Sequence, residues 1–299
     1  MRARTHRARK IRKQGQAMKL TQIRHNGDII AAIVENGTYR PVPNQTTASL
    51  IVQAQASAKP LAEVARALAL ETLLDAADTI IPIHPEEVWA CGCTYAPSAE
   101  FRDGELGTRE GMYAYVHNTD HRPELFEKGG SRVCVGPGEG VGIRKDSKFT
   151  APEPELALIV DSAGKIHGYT LANDVSAWDI ERENALYLPQ SKIFDACCAL
   201  GPVIVTADEI ANPYEMMMSC TITRDGKQTF SGSCSTNKLR RKFEELVEYL
   251  LRSNSVPTPV ALLTGTGIIV TEEVALKPGD VTTIEMAEIG SLSNPARTV

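Results

Sequence analysis

No run of eighteen apolar residues occurs in the 299-residue chain, which excludes a membrane-spanning helix. The seven cysteines (Cys91, Cys93, Cys134, Cys197, Cys198, Cys220 and Cys234) contain no CxxC pair, and Cys91-x-Cys93 is poor zinc spacing. Their odd number and scatter fit a reducing, cytoplasmic setting, with the thiols serving as small core residues. The six histidines share no ligand spacing on one element. His117 and His121 are four apart, but Asn118-Thr119-Asp120 between them argues against a helix. Regular βαβ alternation, internal repeats and low-complexity tracts are also missing, so a Rossmann sheet and a repeat fold are set aside. Gly265-Thr266-Gly267 lacks the rest of a phosphate-loop signature.

Charge of one sign is unevenly placed. The first 17 residues hold seven of the chain's 32 Lys and Arg and none of its 37 acids, so the remainder carries about −12. An acidic body argues against a nucleic-acid partner. The leader lacks an apolar stretch and reads as a disordered basic extension, residues 1–17. With 42% hydrophobic residues, the rest can bury a large core.

From Met18 to Pro82 the pattern is a small α/β domain. It opens with a hairpin, Asp28–Val34 and Thr38–Val42 about the turn Glu35-Asn36-Gly37, followed by Leu61, Val64 and Leu68 at helical spacing. Pro82–Pro85 reads as a linker. Residues 83–299 then hold short strands broken by Pro137-Gly138, Asp225-Gly226 and Lys277-Pro278-Gly279-Asp280. One amphipathic helix carries Leu239, Phe243, Leu246 and Leu250 on a single face. The class is α+β, a β-rich mixed fold.

The most informative segment is Pro152-Glu153-Pro154-Glu155-Leu156-Ala157-Leu158-Ile159-Val160. In a strand, Glu153 and Glu155 project to one side and Leu156, Leu158 and Val160 to the other. The turn Asp161-Ser162-Ala163-Gly164-Lys165 returns the chain antiparallel and brings Asp174 toward both glutamates. Such acids can also be solvated strand ends. An ending in Asn173-Asp174 beside apolar residues favours a shared ligand set instead. Three converging carboxylates repel one another unless a hard cation lies between them, and an all-oxygen set suits Mg²⁺ or Mn²⁺.

These pieces, with Gly168-Tyr169-Thr170, Asn173-Asp174-Val175-Ser176-Ala177, Lys192, Gly201-Pro202, Thr264-Gly265-Thr266-Gly267 and Glu285-x-x-x-Ile289-Gly290-x-Leu292-x-Asn294-Pro295, resemble the fumarylacetoacetate hydrolase family. The resemblance spans Glu87 to Pro295. It implies a twisted β-roll or barrel-like core, a homodimer or higher oligomer, and a divalent ion held by Glu153, Glu155 and Asp174. It also implies a 2-oxo acid that chelates that ion. Glu87–Tyr95, Arg122–Lys128 and Glu183–Lys192 are similar to a subgroup that dehydrates 2-keto-3-deoxy sugar acids. In that subgroup the equivalents of Glu124 and Lys192 stand at the reacting carbons. Lys128, Gln190 and Thr266 are carried over as substrate contacts.

Two departures bear on chemistry. Hydrolytic members have a water-activating His three residues after a Tyr; here Tyr95 is followed at that spacing by Ser98. Many members have Arg where this chain has Trp178. The chemistry expected is therefore dehydration, with Lys192 taking a C3 proton if its pKa is depressed, and Glu124 protonating the departing C4 hydroxyl. Glu124 can equally be a helix-start carboxylate after Pro123, and Lys128 can simply pair with an acid. Hydrolysis of acylpyruvates or diketo acids, with His117 or His121 as substitute base, is an alternative, as is oxaloacetate decarboxylation. A non-catalytic, metal-dependent sugar-acid binding protein is a third reading.

Overall fold

The computed structural model describes residues 18–106 and 111–299, so the expected basic extension lies outside the described residues. Among the described residues, the strands collect into one large sheet, one smaller sheet and a two-stranded pair, Thr150–Ala151 with Ser176–Ala177. Among the described residues, the spine of the large sheet runs Thr38–Val42, Asp28–Glu35, Lys19–His25, Cys198–Thr206, Ile166–Asp174, Pro154–Val160, Val260–Leu263, Glu87–Gly92 and Glu124–Gly129. Most neighbours are antiparallel, while Val260–Leu263 pairs parallel with Glu87–Gly92. The N-terminal hairpin forms with its two-residue turn, Asn36 and Gly37 both at positive φ, as the sequence led one to expect. The preceding strand, Lys19–His25, pairs with Asp28–Glu35 and joins the hairpin to the rest of the large sheet through Lys19↔Val205 and Leu20↔Ile204.

The smaller sheet orders Lys227–Ser235, Met217–Arg224, Val281–Met286, Gly290–Thr298 and Val141–Ile143. Asp225 and Gly226, both at positive φ, turn the first pair. Together the sheets and peripheral helices make a β-rich α+β roll. The core is nearly continuous, with Leu156, Ala157, Leu158, Ile159 and Val160 all at 1% exposure or less. Both faces of that central strand are therefore covered, including the one that carries Glu155.

Two expectations are corrected. The amphipathic helix runs Phe243–Leu251 and buries Phe243, Leu246, Val247 and Leu250. Leu239 precedes it as the end of a separate turn at Thr236–Lys238. His117 does lie on a helix, Met112–Asn118, because the polar Asn-Thr-Asp stretch terminates that helix and does not prevent it. No helix among the described residues is long and apolar enough to cross a membrane.

Candidate active site

Glu153 stands just before the strand Pro154–Val160, whose partner Ile166–Asp174 returns with Pro154 opposite Asn173. Two hydrogen bonds lock the open end: Asp174 N donates to Glu153 O at 2.9 Å, and Glu153 N donates to Asn173 Oδ1 at 3.1 Å. This register sets Glu153, Glu155 and Asp174 together, each offering an oxygen within 4.8 Å of the others, all buried. The convergence expected from the sequence is thus the geometry found.

The third wall is the loop Thr264–Gly267. Thr264 N and Oγ1 both donate to Leu156 O, and Gly265 N donates to Glu155 Oε2 at 2.5 Å. Gly265 has φ +93°, and a Cβ there would stand 1.9 Å from Thr94 Oγ1, so no other residue fits. Thr266 lines the resulting cavity, with its hydroxyl turned to the backbone of Ile268 at 3.2 Å.

Burial, then Asp174 and Glu153, push the Glu155 carboxyl well above the usual glutamate range. Glu153 is raised as well, chiefly by burial, although Lys192 opposes the shift. Asp174 moves the other way. Burial raises it, but Lys128 and Lys192 outweigh burial and hold it low. A buried, all-oxygen cluster in which two carboxyls resist ionisation fits a hard divalent cation such as Mg²⁺.

Lys192, from the short helix Leu188–Lys192, reaches into this cluster. Its Nζ contacts Ser176 Oγ at 2.6 Å, Glu153 Oε1 at 2.8 Å and Asp174 Oδ2 at 3.3 Å. The sequence suggested a depressed pKa, and here the balance differs. Burial pulls the ammonium down, but Asp174, Glu153 and Glu181 together outweigh it and hold Lys192 above the ordinary lysine value. Phe126 covers it, the ring centroid 5.5 Å from Nζ.

Glu124 opens the strand Glu124–Gly129, not a helix. It does not line the cavity itself but is gripped by two residues that do, Arg102 through Nη1 at 2.6 Å and Nη2 at 3.3 Å, and Cys93 Sγ at 3.4 Å. Burial raises its pKa, but Arg102 wins and leaves the carboxyl below the usual range. Gly92 makes room, since a Cβ there would lie 1.9 Å from Glu124 Oε2. Arg102 also pairs with buried Glu181 at 2.5 Å. Sequence reasoning missed Arg102 and Glu181, because one charge on a helix and one on another carry no local signal of their meeting.

The remaining expected residues are spread out. Lys128 is fully buried behind the carboxylates and does not line the cavity. Gln190 is exposed, and its backbone carbonyl accepts from Arg144 at 3.1 Å. Ser98 and Trp178 line the cavity; Trp178 is held edge-on by Phe101 and stacked by Phe149. His117 Nδ1 pairs with Cys93 O at 2.8 Å, and His121 is exposed. Among the described residues, no histidine lines the cavity.

The profile described as fumarylacetoacetate (FAA) hydrolase C-terminal matches residues 105–297. The chain is 47% identical over 218 residues to a 2-dehydro-3-deoxy-D-arabinonate dehydratase of Saccharolobus solfataricus, covering 72% of this chain and 73% of that protein. It is 42% identical over 219 residues to a probable 2-keto-3-deoxyxylonate dehydratase of Haloferax volcanii, covering 73% and 75%. A solved 2-keto-3-deoxy-D-arabinonate dehydratase complexed with magnesium and 2,5-dioxopentanoate superposes with TM-score 0.81 at 37% identity, over 94% of this chain and 99% of that one. The chain belongs to the fumarylacetoacetate hydrolase family.

Proposed function

We propose that the protein is a Mg²⁺-dependent hydro-lyase that dehydrates a 2-keto-3-deoxy sugar acid, such as a 2-keto-3-deoxypentonate, to a 2-oxo acid semialdehyde. The observation carrying this reading is that the cavity joins three buried carboxylates to Lys192, Ser98 and Arg102, which grips Glu124 from behind the wall, with no histidine on that wall among the described residues. Hydrolysis of a C–C bond needs a base to activate water, and His117 is engaged with Cys93 O instead. The similarity to two sugar-acid dehydratases, each over more than 70% of this chain, supports the same choice.

In this reading Glu153, Glu155 and Asp174 hold the ion. Bound Mg²⁺ would offset the carboxylate charge that keeps Lys192 protonated and would acidify the C–H bonds beside a chelated 2-oxo group. Lys192 takes the C3 proton. Glu124, which Arg102 keeps ionised in the free protein, gains a proton when substrate binds and passes it to the departing C4 hydroxyl, so that water leaves. A C5 hydrogen then moves to C3, and the C4=C5 enol so formed becomes the C5 aldehyde. Arg102 keeps Glu124 in place, and Thr266 and Trp178 bound the space for the substrate chain. Burial of the whole cluster excludes water that would compete for these protons.

We further assign the protein to the cytoplasm as a homodimer. The free state of all seven cysteines supports the first. The open edge strand Lys227–Ser235 of the smaller sheet supports the second. Light scattering showing only a 32.5 kDa species at micromolar concentration would reject the dimer.

The test is turnover of stereoisomeric 2-keto-3-deoxypentonates beside acylpyruvates and oxaloacetate, with and without Mg²⁺. Semialdehyde formation that EDTA abolishes is the expected outcome. Cleavage of acylpyruvates with no dehydration would replace this reading with the hydrolase, and metal-dependent binding without turnover would replace it with a binding protein.

A further inference from the structure

Lys128 has an exposure of 0% and lies behind the carboxylates, not among them. Its Nζ stands 2.7 Å from Asp174 Oδ1, donates to Val175 O at 2.8 Å, and donates to the backbone carbonyl of Lys192. The two backbone carbonyls take two of the three N–H donors of the ammonium, and Asp174 Oδ1 is held by ion-pair contact without a hydrogen bond of its own. The cavity wall does not include this residue. The other Asp174 oxygen, Oδ2, is the one that Lys192 Nζ approaches at 3.3 Å while also contacting Glu153 Oε1 at 2.8 Å. Asp174 is therefore divided, with Oδ1 tied to a buried cation and Oδ2 on the side of the glutamates.

We infer that Lys128 is a positioning residue that restricts Asp174 to one-oxygen ligation and thereby sets the site's preference for a small divalent ion over a larger one. The inference rests on the reading of Glu153, Glu155 and Asp174 as the metal ligands. Mg²⁺ requires near-octahedral geometry with short bonds, whereas Ca²⁺ accepts about six to eight oxygens and readily takes carboxylates by both. With Oδ1 engaged, Asp174 cannot supply the extra oxygen that favours Ca²⁺. Removing Lys128 also removes a positive charge, which strengthens binding of any divalent cation. That charge effect is common to both ions and cancels in the ratio of their affinities, so the ratio reports the geometry.

The experiment titrates the metal-stripped full chain with Mg²⁺ alone and Ca²⁺ alone by calorimetry, for wild type, Lys128→Met and Lys128→Gln, with near-ultraviolet circular dichroism to check folding. Methionine keeps the length and deletes the donor; glutamine loses the same charge but keeps an N–H for Oδ1. Lys128→Met is expected to shift the Ca²⁺/Mg²⁺ affinity ratio toward Ca²⁺ by about tenfold, in the range found when a group supporting a metal ligand is lost. Lys128→Gln should restore most of the wild-type ratio. A folded Lys128→Met with a ratio within about twofold of wild type overturns the inference while leaving the metal site standing. Absence of binding by wild type to either ion overturns the site and the inference together. A crystal structure of the wild type grown with Ca²⁺ gives a test that needs no variant. Asp174 bound through one oxygen with Lys128 on the other supports the inference, and two-oxygen ligation with Lys128 displaced refutes it.

Discussion

Lys192 Nζ lies 2.8 Å from Glu153 Oε1, so an ammonium from a short helix is inserted directly into a carboxylate pair presented by a hairpin. That contact makes Lys192 part of the electrostatic balance of the site as well as a candidate proton carrier. Binding and chemistry can be separated at this residue. Lys192→Met keeps the stem and deletes the amine, so Mg²⁺ should still bind, and more tightly for want of a competing cation. Turnover should fall by roughly 10²–10⁴-fold, the usual cost of losing a positioned proton-transfer group. Exchange of substrate C3 hydrogens with D₂O, followed by NMR, should disappear with it. If exchange survives while dehydration stops, the base is not Lys192; Glu124, kept ionised by Arg102, is then the group the structure offers.

Asp174→Asn tests the ligand set. Asparagine matches the shape but removes the charge that pairs with Lys128 at 2.7 Å and Lys192 at 3.3 Å. Mg²⁺ affinity should drop by more than about tenfold, the lower bound for losing even a residue that only supports a ligand. Activity should drop with it, and raising Mg²⁺ should recover part of the loss. Wild-type affinity measured by calorimetry in this variant would remove Asp174 from the site.

Arg102 ties two acids from different elements, Glu124 and Glu181, with side-chain exposures of 20% and 1%. Arg102→Leu leaves both without their cation, and the deeply buried Glu181 suffers most. Breaking one partner out of a buried ion pair costs about 3–5 kcal/mol, so urea unfolding should show a loss of that order. Arg102→Lys keeps the charge but not the fork, and should recover part of that stability while kcat stays low because Glu124 is held less rigidly. Equal stability of Arg102→Leu and wild type would mean that the two ion pairs add nothing to the fold.

The legible and illegible parts of this molecule divide along sequence distance. Glu153, Glu155 and Asp174 were found because a hairpin is a local object: strand alternation and one turn bring them together within about twenty residues. The N-terminal hairpin and the Asp225-Gly226 turn were legible for the same reason. The direction of the Lys192 shift was not, because it depends on Glu181 as well as on the ligands, and Glu181 arrives from another helix. Arg102 gave no signal at all, since its meaning comes only from Glu124 and Glu181 meeting it. Lys128 was visible as a residue of interest, yet its place follows from contacts with Asp174, Val175 and Lys192, all more than forty residues away, which no local pattern encodes. The helix carrying His117 was obscured because the residues that end it resemble residues that forbid one.

A last prediction concerns pH and lies at the far end of the ligand hairpin. His167 is buried, and its Nε2 stands 2.8 Å from Asp161 Oδ2, while its Nδ1 has no partner. Asp161 Oδ1 is already engaged by the backbone N–H groups of Ala163 and Lys165, so the carboxylate organises the turn. Burial lowers the His167 pKa, and Asp161 opposes this without reversing it; Lys165 lowers it a little further. The folded protein therefore holds a neutral imidazole with the proton on Nε2, donated to Asp161. In the unfolded chain the same group titrates near its ordinary value of about 6.5. As pH falls through that value, the unfolded chain takes up a proton that the folded one refuses, so stability declines on acidification. The loss continues until the folded pKa is reached. His84 is also lowered by burial and adds a second contribution of the same sign. His167→Gln keeps an N–H for Asp161 but cannot titrate. It should be less stable than wild type at neutral pH, yet lose less stability between about pH 7 and pH 5.5, as read from urea midpoints at the two pH values. An unchanged or steeper loss in the variant would mean that His167 is a protonated partner of Asp161, and the sign argued here would be wrong.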